Sequence, residues 1–248
     1  MITVTDLFRY PVKSMQGLAE PTLDLTAAGF EGDRRWALID RETGRLMSAK
    51  RWSALLMASA DDEAITLPDG SRVVLVADDA DAVLSAWLGR EVHLAEAASG
   101  TEVSYEMTFD PPDDHAEYYA IHAPPGSFLD LTAAHLAARP TLREAGGRHG
   151  DLDWDIRRFR PNLVVDGDLE PFGEDAWVGA TLRVGTARLG VRQATVRCAM
   201  PLRAQPGLDR QAPMYAALEA LHANHLGIYL DVVAPGRVAV GDEVTVLA

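Results

Sequence analysis

Cysteine is nearly absent: 248 residues contain one, Cys198. A single thiol forbids an internal disulfide and fits a reducing compartment. It also rules out an iron–sulfur cluster held by this chain alone, because such clusters take about four protein ligands. Basic residues are scarce too. Against 37 acidic residues stand 23 basic ones, a net charge of −14, so binding to nucleic acid or to an anionic membrane is not expected. Long apolar runs are missing from the start, where MITVTDLFRYPVKS carries Asp6, Arg9 and Pro11; neither a signal peptide nor a membrane anchor reads this way. The chain also lacks GxxxxGK[ST], GxGxxG after a strand, HExxH and GxSxG, which removes the commonest nucleotide, zinc-protease and serine-hydrolase signatures. The expectation is a cytoplasmic, soluble protein.

What is present reads mainly as strands. ITVT at the start, WALID (36–40) and ALLMASA (54–60) are strand candidates, the last a buried one. ITL and RVVLV flank PDGS (68–71), a turn signal that predicts a hairpin. DADAVLSAWLGR (79–90) places Val83, Leu84, Trp87 and Leu88 at helical spacing, with Asp79 or Asp81 as cap and Gly89 as stop. Residues 96–127 include EAASG, FDPPDDH and APPGS and read as a linker or long loop. A short helix is expected in LDLTAAHLAARPTLREAGG, capped by Thr132 and interrupted at Pro140. NLVVD (162–166), TLRVG (181–185) and ARLGVRQATVRC (187–198) are strands again. PMYAALEALHANH (213–225) is a helix with Pro213 in its first turn, and the chain closes on two or three strands about an APG turn. The fold class is mainly β with helices (α+β), a β-barrel architecture with helices outside.

Three basic clusters and the thiol are the candidates for chemistry. Cys198 is either an inert core thiol or a nucleophile or metal ligand. Arg197 beside it favours the thiolate, provided the strand ends or bends there, since neighbours on a regular strand face opposite ways. In RRFRPN (157–162), Pro161 biases Arg160 toward an extended backbone, which would set Arg158 and Arg160 on one strand face; the alternative is salt-bridging to Asp151, Asp153 and Asp155. PVKS (11–14) places Lys13 and Ser14 after a rigid proline, and GDRRW (32–36) places Arg34 and Arg35 before a strand. His222 and His225 share one helix face but have no acidic or cysteine partner nearby in sequence, so capping or solvent-facing roles are favoured over a metal.

PVKS, GDRRW, RFRPNLVVDG and a later strand ending in RC, in that order, together resemble the MOSC superfamily, as does the ending GIYLDVV…PGRVAVGDEV. The resemblance covers essentially the whole chain. It implies an N-terminal β-barrel region over residues 1–95 and a MOSC β-barrel domain over 96–248. It implies that Cys198 ligates the metal of the molybdenum cofactor (molybdopterin) and is the catalytic residue. Lys13, Ser14, Arg34, Thr132, Arg160, Asn162 and Arg197 would contact the pterin or its phosphate, Thr132 as the hydroxyl residue that opens a helix near the cofactor. Such chemistry suits these residue types: a strongly anionic cofactor wants Lys and Arg donors, and molybdenum wants a soft thiolate. The implied activity is reduction of N-hydroxylated small molecules, with electrons from a separate flavin or iron–sulfur reductase and with no nucleic-acid or membrane partner. The alternative is a molybdenum cofactor carrier or sulfur-transfer protein without redox turnover. Val196 and His135 depart from the residues that relatives carry beside Arg197 and in the helix-opening segment.

Overall fold

The computed structural model describes residues 1–247 apart from 109, 112, 114 and 115. Eight strands form its largest sheet. From edge to edge they are Val244–Leu247, Thr181–Val184, Ala187–Val196, His225–Ala234, Ala134–Ala138, Leu163–Gly167, Ile2–Arg9 and Leu18–Glu20. Along Thr181–Val184 and Ala187–Val196 buried and outward side chains largely alternate, the period of two that one covered face imposes. The sheet curls into a half-barrel: Thr3 bridges Glu243, and the Gly241 N–H donates to the Val4 carbonyl at 2.8 Å. Val4, Leu7, Leu136, Leu163, Leu189 and Ile228 fill its interior.

A second core belongs to the N-terminal half. Trp36–Asp40 pairs antiparallel with Val92–Glu96, and the PDGS turn joins Ala64–Thr66 to Arg72–Val74 as a hairpin. Helix α1 (Ala80–Leu88) covers them and stops at Gly89, whose φ of 62° a side chain would resist. Leu38, Leu56, Leu84 and Val92 pack here, with Cys198 and Met200 reaching in from the C-terminal half. Strand pairing crosses the 95/96 boundary: Ile2–Arg9 pairs with Leu163–Gly167, and Thr22–Thr26 with Gly236–Ala239. Among the described residues no helix is long and apolar enough to cross a membrane.

Four local expectations need correction. Residues 134–138 form a strand, not a helix, and helix α2 (Arg139–Arg148) begins where Pro140 was expected to interrupt one. All five residues of that strand are buried, parallel to Leu163–Gly167 on one side and antiparallel to His225–Ala234 on the other. Sheet pairing there overrides alanine's helix propensity, and a proline without an N–H suits a first helical turn. Residues 53–57 are a 3-10 turn, and only Ser59–Ala60 is strand. Residues 96–127 carry a strand pair, Ser104–Met107 with Tyr119–His122, whose Tyr105 packs with Phe128; of FDPPDDH, residues 109, 112, 114 and 115 lie outside those described. Arg160, expected in extended backbone, takes a left-handed φ of 53° after a 3-10 turn at Ile156–Arg158. The C-terminal helix holds as α3 (Met214–His222).

Candidate functional site

The PVKS segment leaves the end of the Ile2–Arg9 strand and is pinned to GDRRW by backbone bonds. Trp36 N donates to the Pro11 carbonyl at 3.0 Å, Lys13 N to the Trp36 carbonyl at 2.8 Å, and Arg34 N to the Tyr10 carbonyl at 2.7 Å. Pairing of the first strand with Leu163–Gly167 carries RFRPN to the same place, where Phe8 N donates to the Asn162 carbonyl at 2.9 Å. Ala187–Val196 ends one residue before Arg197, so Arg197 and Cys198 escape strand alternation and both line one pocket. All eight residues singled out from sequence line it: Lys13, Ser14, Arg34, Thr132, Arg160, Asn162, Arg197 and Cys198. Arg35 does not. It is exposed and pairs with Glu96.

Backbone strain concentrates at this pocket. Ser14, Arg34 and Arg160 have φ of 67°, 48° and 53°, each costing about 1–2 kcal/mol for a residue with a side chain. Such outliers persist only where surrounding structure over-determines them. Ser14 is held by its Oγ, which accepts from Ala49 N at 3.0 Å. The Arg34 and Arg160 guanidinium carbons lie 4.3 and 4.2 Å from the centre of the Tyr10 ring. Burial pushes the Tyr10 phenol up to about 12, and its hydroxyl donates to the Pro161 carbonyl at 3.1 Å.

The cations differ in how well they are satisfied. Arg34 pairs with the buried Asp33. Arg197 donates to the Phe159 carbonyl at 2.9 Å and meets His135 Nε2 at 3.4 Å. Burial, then the charges of Arg197 and Arg34, hold His135 well below its ordinary value, so its ring is neutral. Arg197 Nε is nevertheless buried without a hydrogen-bond partner among the described residues, and so are both Nη atoms of Arg160; burial pushes the Arg160 guanidinium down to about 10. Leaving charged donors unpaired away from water is costly, and an anionic group would satisfy these three.

Lysine is rare here: of the 23 basic residues only Lys13 and Lys50 are lysines. Both bind one carboxylate, Asp130, with Lys50 Nζ 2.8 Å from Oδ2. Lys13 also donates to the Phe128 carbonyl at 2.6 Å. Burial pulls Lys13 below the ordinary lysine range against the pull of Asp130. Burial acts on Lys50 in the same sense, but there Asp130, with Cys198 and Tyr105, outweighs it and raises the group. For Asp130 burial works upward, and the two ammonium groups overcome it and hold the carboxyl far below its usual range. Sequence reasoning missed Lys50 and Asp130. The rarity of lysine was the one signal that marked Lys50; nothing in the local pattern marked Asp130.

Two predicted contacts are committed elsewhere. The Asn162 amide donates to the Phe8 carbonyl (3.2 Å) and Asp33 (3.1 Å) and accepts from His135 N (3.2 Å), so it ties three segments together beneath the pocket. Thr132 opens no helix; its hydroxyl donates to the Ala134 carbonyl at 3.1 Å. Arg158 is fully buried and donates to the carbonyls of Asp153, Pro201, Arg203 and Asp209, clamping the segment that follows Cys198. Arg157 alone makes the close salt bridge, to Asp155. His222 pairs with Asp175 at 2.6 Å, and no metal-ligating cluster occurs among the described residues. The donor set of the pocket therefore fits an anionic group with a soft metal: unpaired guanidinium nitrogens, a free thiol and the buried Lys13.

Comparison with known proteins bears on the same question. A family model described as the MOSC domain matches residues 121–245, and a second, the MOSC N-terminal beta barrel domain, matches residues 1–105. The chain is 25% identical to mitochondrial amidoxime-reducing component 1 of Mus musculus, over 99% of this chain and 82% of that protein. It is 26% identical to a molybdenum cofactor sulfurase of Oryza sativa subsp. japonica, over 80% of this chain but 28% of the sulfurase. Among solved structures, the YuaD protein of Bacillus subtilis is 14% identical with a TM-score of 0.49, covering 98% of this chain and 94% of that one.

Proposed function

The chain belongs to the MOSC family, and we propose that it is a molybdenum cofactor-dependent oxidoreductase that reduces N-hydroxylated small molecules such as amidoximes and hydroxylamines. The observation that carries this reading is the meeting of the sole thiol, Cys198, with the unpaired Arg160 guanidinium nitrogens in one pocket. Similarity to an amidoxime-reducing component over nearly the whole chain supports it.

When bound, the molybdenum cofactor supplies two-electron redox chemistry; the protein supplies binding, orientation and electrostatics. Cys198 would be the metal ligand, a soft sulfur donor suited to molybdenum. Arg160 binds the anionic end through its two free donors, and a planar guanidinium suits a phosphate better than a point charge does. Lys13, Arg34 and Arg197 complete the neutralisation. Ser14, Thr132 and Asn162 shape the wall and hold the cationic segments in register. Cleavage of the substrate N–O bond takes two electrons and two protons and yields the N–H compound and water; the electrons would be delivered by a flavin or iron–sulfur reductase.

The sulfurase similarity supports a second reading, a cofactor carrier or sulfur-transfer protein without redox turnover. Turnover separates the two. Protein purified from a host that makes the cofactor is assayed for molybdenum and for reduction of benzamidoxime with artificial electrons. The oxidoreductase reading expects bound molybdenum and reduction, with Cys198→Ser slower by orders of magnitude, since a hydroxyl is a poor ligand for a soft site. Retained molybdenum without reduction establishes the carrier instead.

A further inference from the structure

The turn from α3 into the strand His225–Ala234 is strained. Ala223 and Asn224 both take left-handed backbone, with φ of 46° and 59°; glycine commonly fills such a place, and asparagine tolerates it better than most residues. Val196 pairs with His225, so the antiparallel register sets Arg197 opposite Asn224. Residues facing each other at a hydrogen-bonded position exchange two backbone bonds. One of them is present: Arg197 N donates to the Asn224 carbonyl at 2.9 Å. The reciprocal bond is not made, because Asn224 N closes the end of α3 by donating to the Leu218 carbonyl at 3.1 Å. The side chain makes it instead, with Asn224 Nδ2 donating to the Arg197 carbonyl at 2.8 Å. That carbonyl belongs to the planar peptide joining Arg197 to Cys198, so the amide fixes the plane from which the thiol departs. The arrangement leaves Asn224 Oδ1 buried with no hydrogen-bond partner among the described residues, which is costly. Strain and an unmet acceptor on one residue are expected where geometry matters more than stability.

Resting on the reading of Cys198 as a metal ligand, we propose that Asn224 is its positioning residue. The amide is one extra rung beyond the end of the strand. It holds the Arg197–Cys198 peptide so that a guanidinium and a thiol adjacent in sequence face one pocket, where regular strand alternation would send them apart. Asparagine alone meets both demands of the position. Glycine takes the φ without a side-chain donor, aspartate takes it without an N–H to give, and glutamine carries its amide one methylene too far out.

The test exploits the single cysteine, since alkylation of the chain reports on Cys198 alone. In cofactor-free protein at one pH, the rate with iodoacetate is divided by the rate with iodoacetamide. Exposure affects both reagents, so the ratio reports whether the sulfur sits among cations. Wild type should exceed its own urea-unfolded chain in this ratio. Asn224→Gly and Asn224→Ala should lower it about tenfold, the low end of what a focused positive field gives an anion. Both variants should keep a cooperative urea transition, because glycine relieves the strained φ and the turn already holds an alanine at Ala223. Ala223→Gly loosens the same turn but keeps the amide, and its ratio should match wild type. In molybdenum-loaded protein the Asn224 variants should lose about tenfold or more in kcat for benzamidoxime, with KM within about twofold of wild type. An unchanged ratio in both Asn224 variants overturns the proposal, as does a wild-type ratio no higher than that of the unfolded chain. An equal fall in Ala223→Gly overturns it by making stiffness of the turn responsible, and loss of the cooperative transition in both Asn224 variants by making the role one of folding. A lowered ratio beside loaded wild type that reduces nothing upholds the positioning role and overturns the functional reading.

Discussion

Arg160 lines the pocket with a backbone unlike the one its sequence context predicts. The RFRPN stretch marked it, yet the extended backbone expected before Pro161 is a left-handed turn instead, and that turn leaves both Nη atoms unpartnered. Arg160→Ala should reduce molybdenum and pterin retained through purification, at a cost of roughly 1.5–3 kcal/mol for one charge-assisted contact; unchanged content after dialysis would refute it. Arg160→Lys should recover only part of the loss, because a single ammonium cannot replace a planar fork. Asn162 illustrates the converse. The family resemblance implies a pterin contact for it, and its amide bonds Phe8, Asp33 and His135, partners that only folding brings near.

At the level of elements, strands with broad alternation and helices with clean stops were legible, as in Ala187–Val196 and α1. The Ala134–Ala138 strand was not, because alanine carries no strand preference and pairing on both sides made the decision. Pro140→Ala should therefore change stability by less than about 1 kcal/mol, as expected for a first-turn position rather than a helix interior. Gly227 in the neighbouring strand is the sensitive position. Its φ is 80°, and a Cβ there would lie 2.4 Å from the Leu136 carbonyl and 2.6 Å from His135 Nε2. Gly227→Ala should destabilise by about 2–4 kcal/mol, strain and overpacking together, read as a lower urea midpoint.

The stability of the whole molecule should carry the signature of Glu174. This carboxyl is fully buried against the Thr141 hydroxyl at 2.9 Å, and burial pushes it up to about 7. A folded value above the ordinary one favours the protonated form. Its contribution is thus complete below about pH 4.5 and is lost as pH rises through 7. A shift of this size amounts to roughly 3 kcal/mol. Glu174→Gln should leave stability near pH 4.5 little changed and raise it by pH 8; parallel pH profiles of the urea midpoint in the two proteins would refute this.

Sequence alone determined the fold class, the family resemblance, the order of the cationic motifs and the impossibility of an internal cluster or disulfide. Those properties follow from residue identity and short-range spacing, which survive in any conformation. Tertiary structure decided the rest: that strand pairing across the chain closes PVKS, GDRRW and RFRPN around Cys198, that two lysines share Asp130, and that both Nη atoms of Arg160 lack a hydrogen-bond partner among the described residues. Each depends on groups far apart in the chain meeting out of water, and spacing along a polypeptide does not encode where such groups meet.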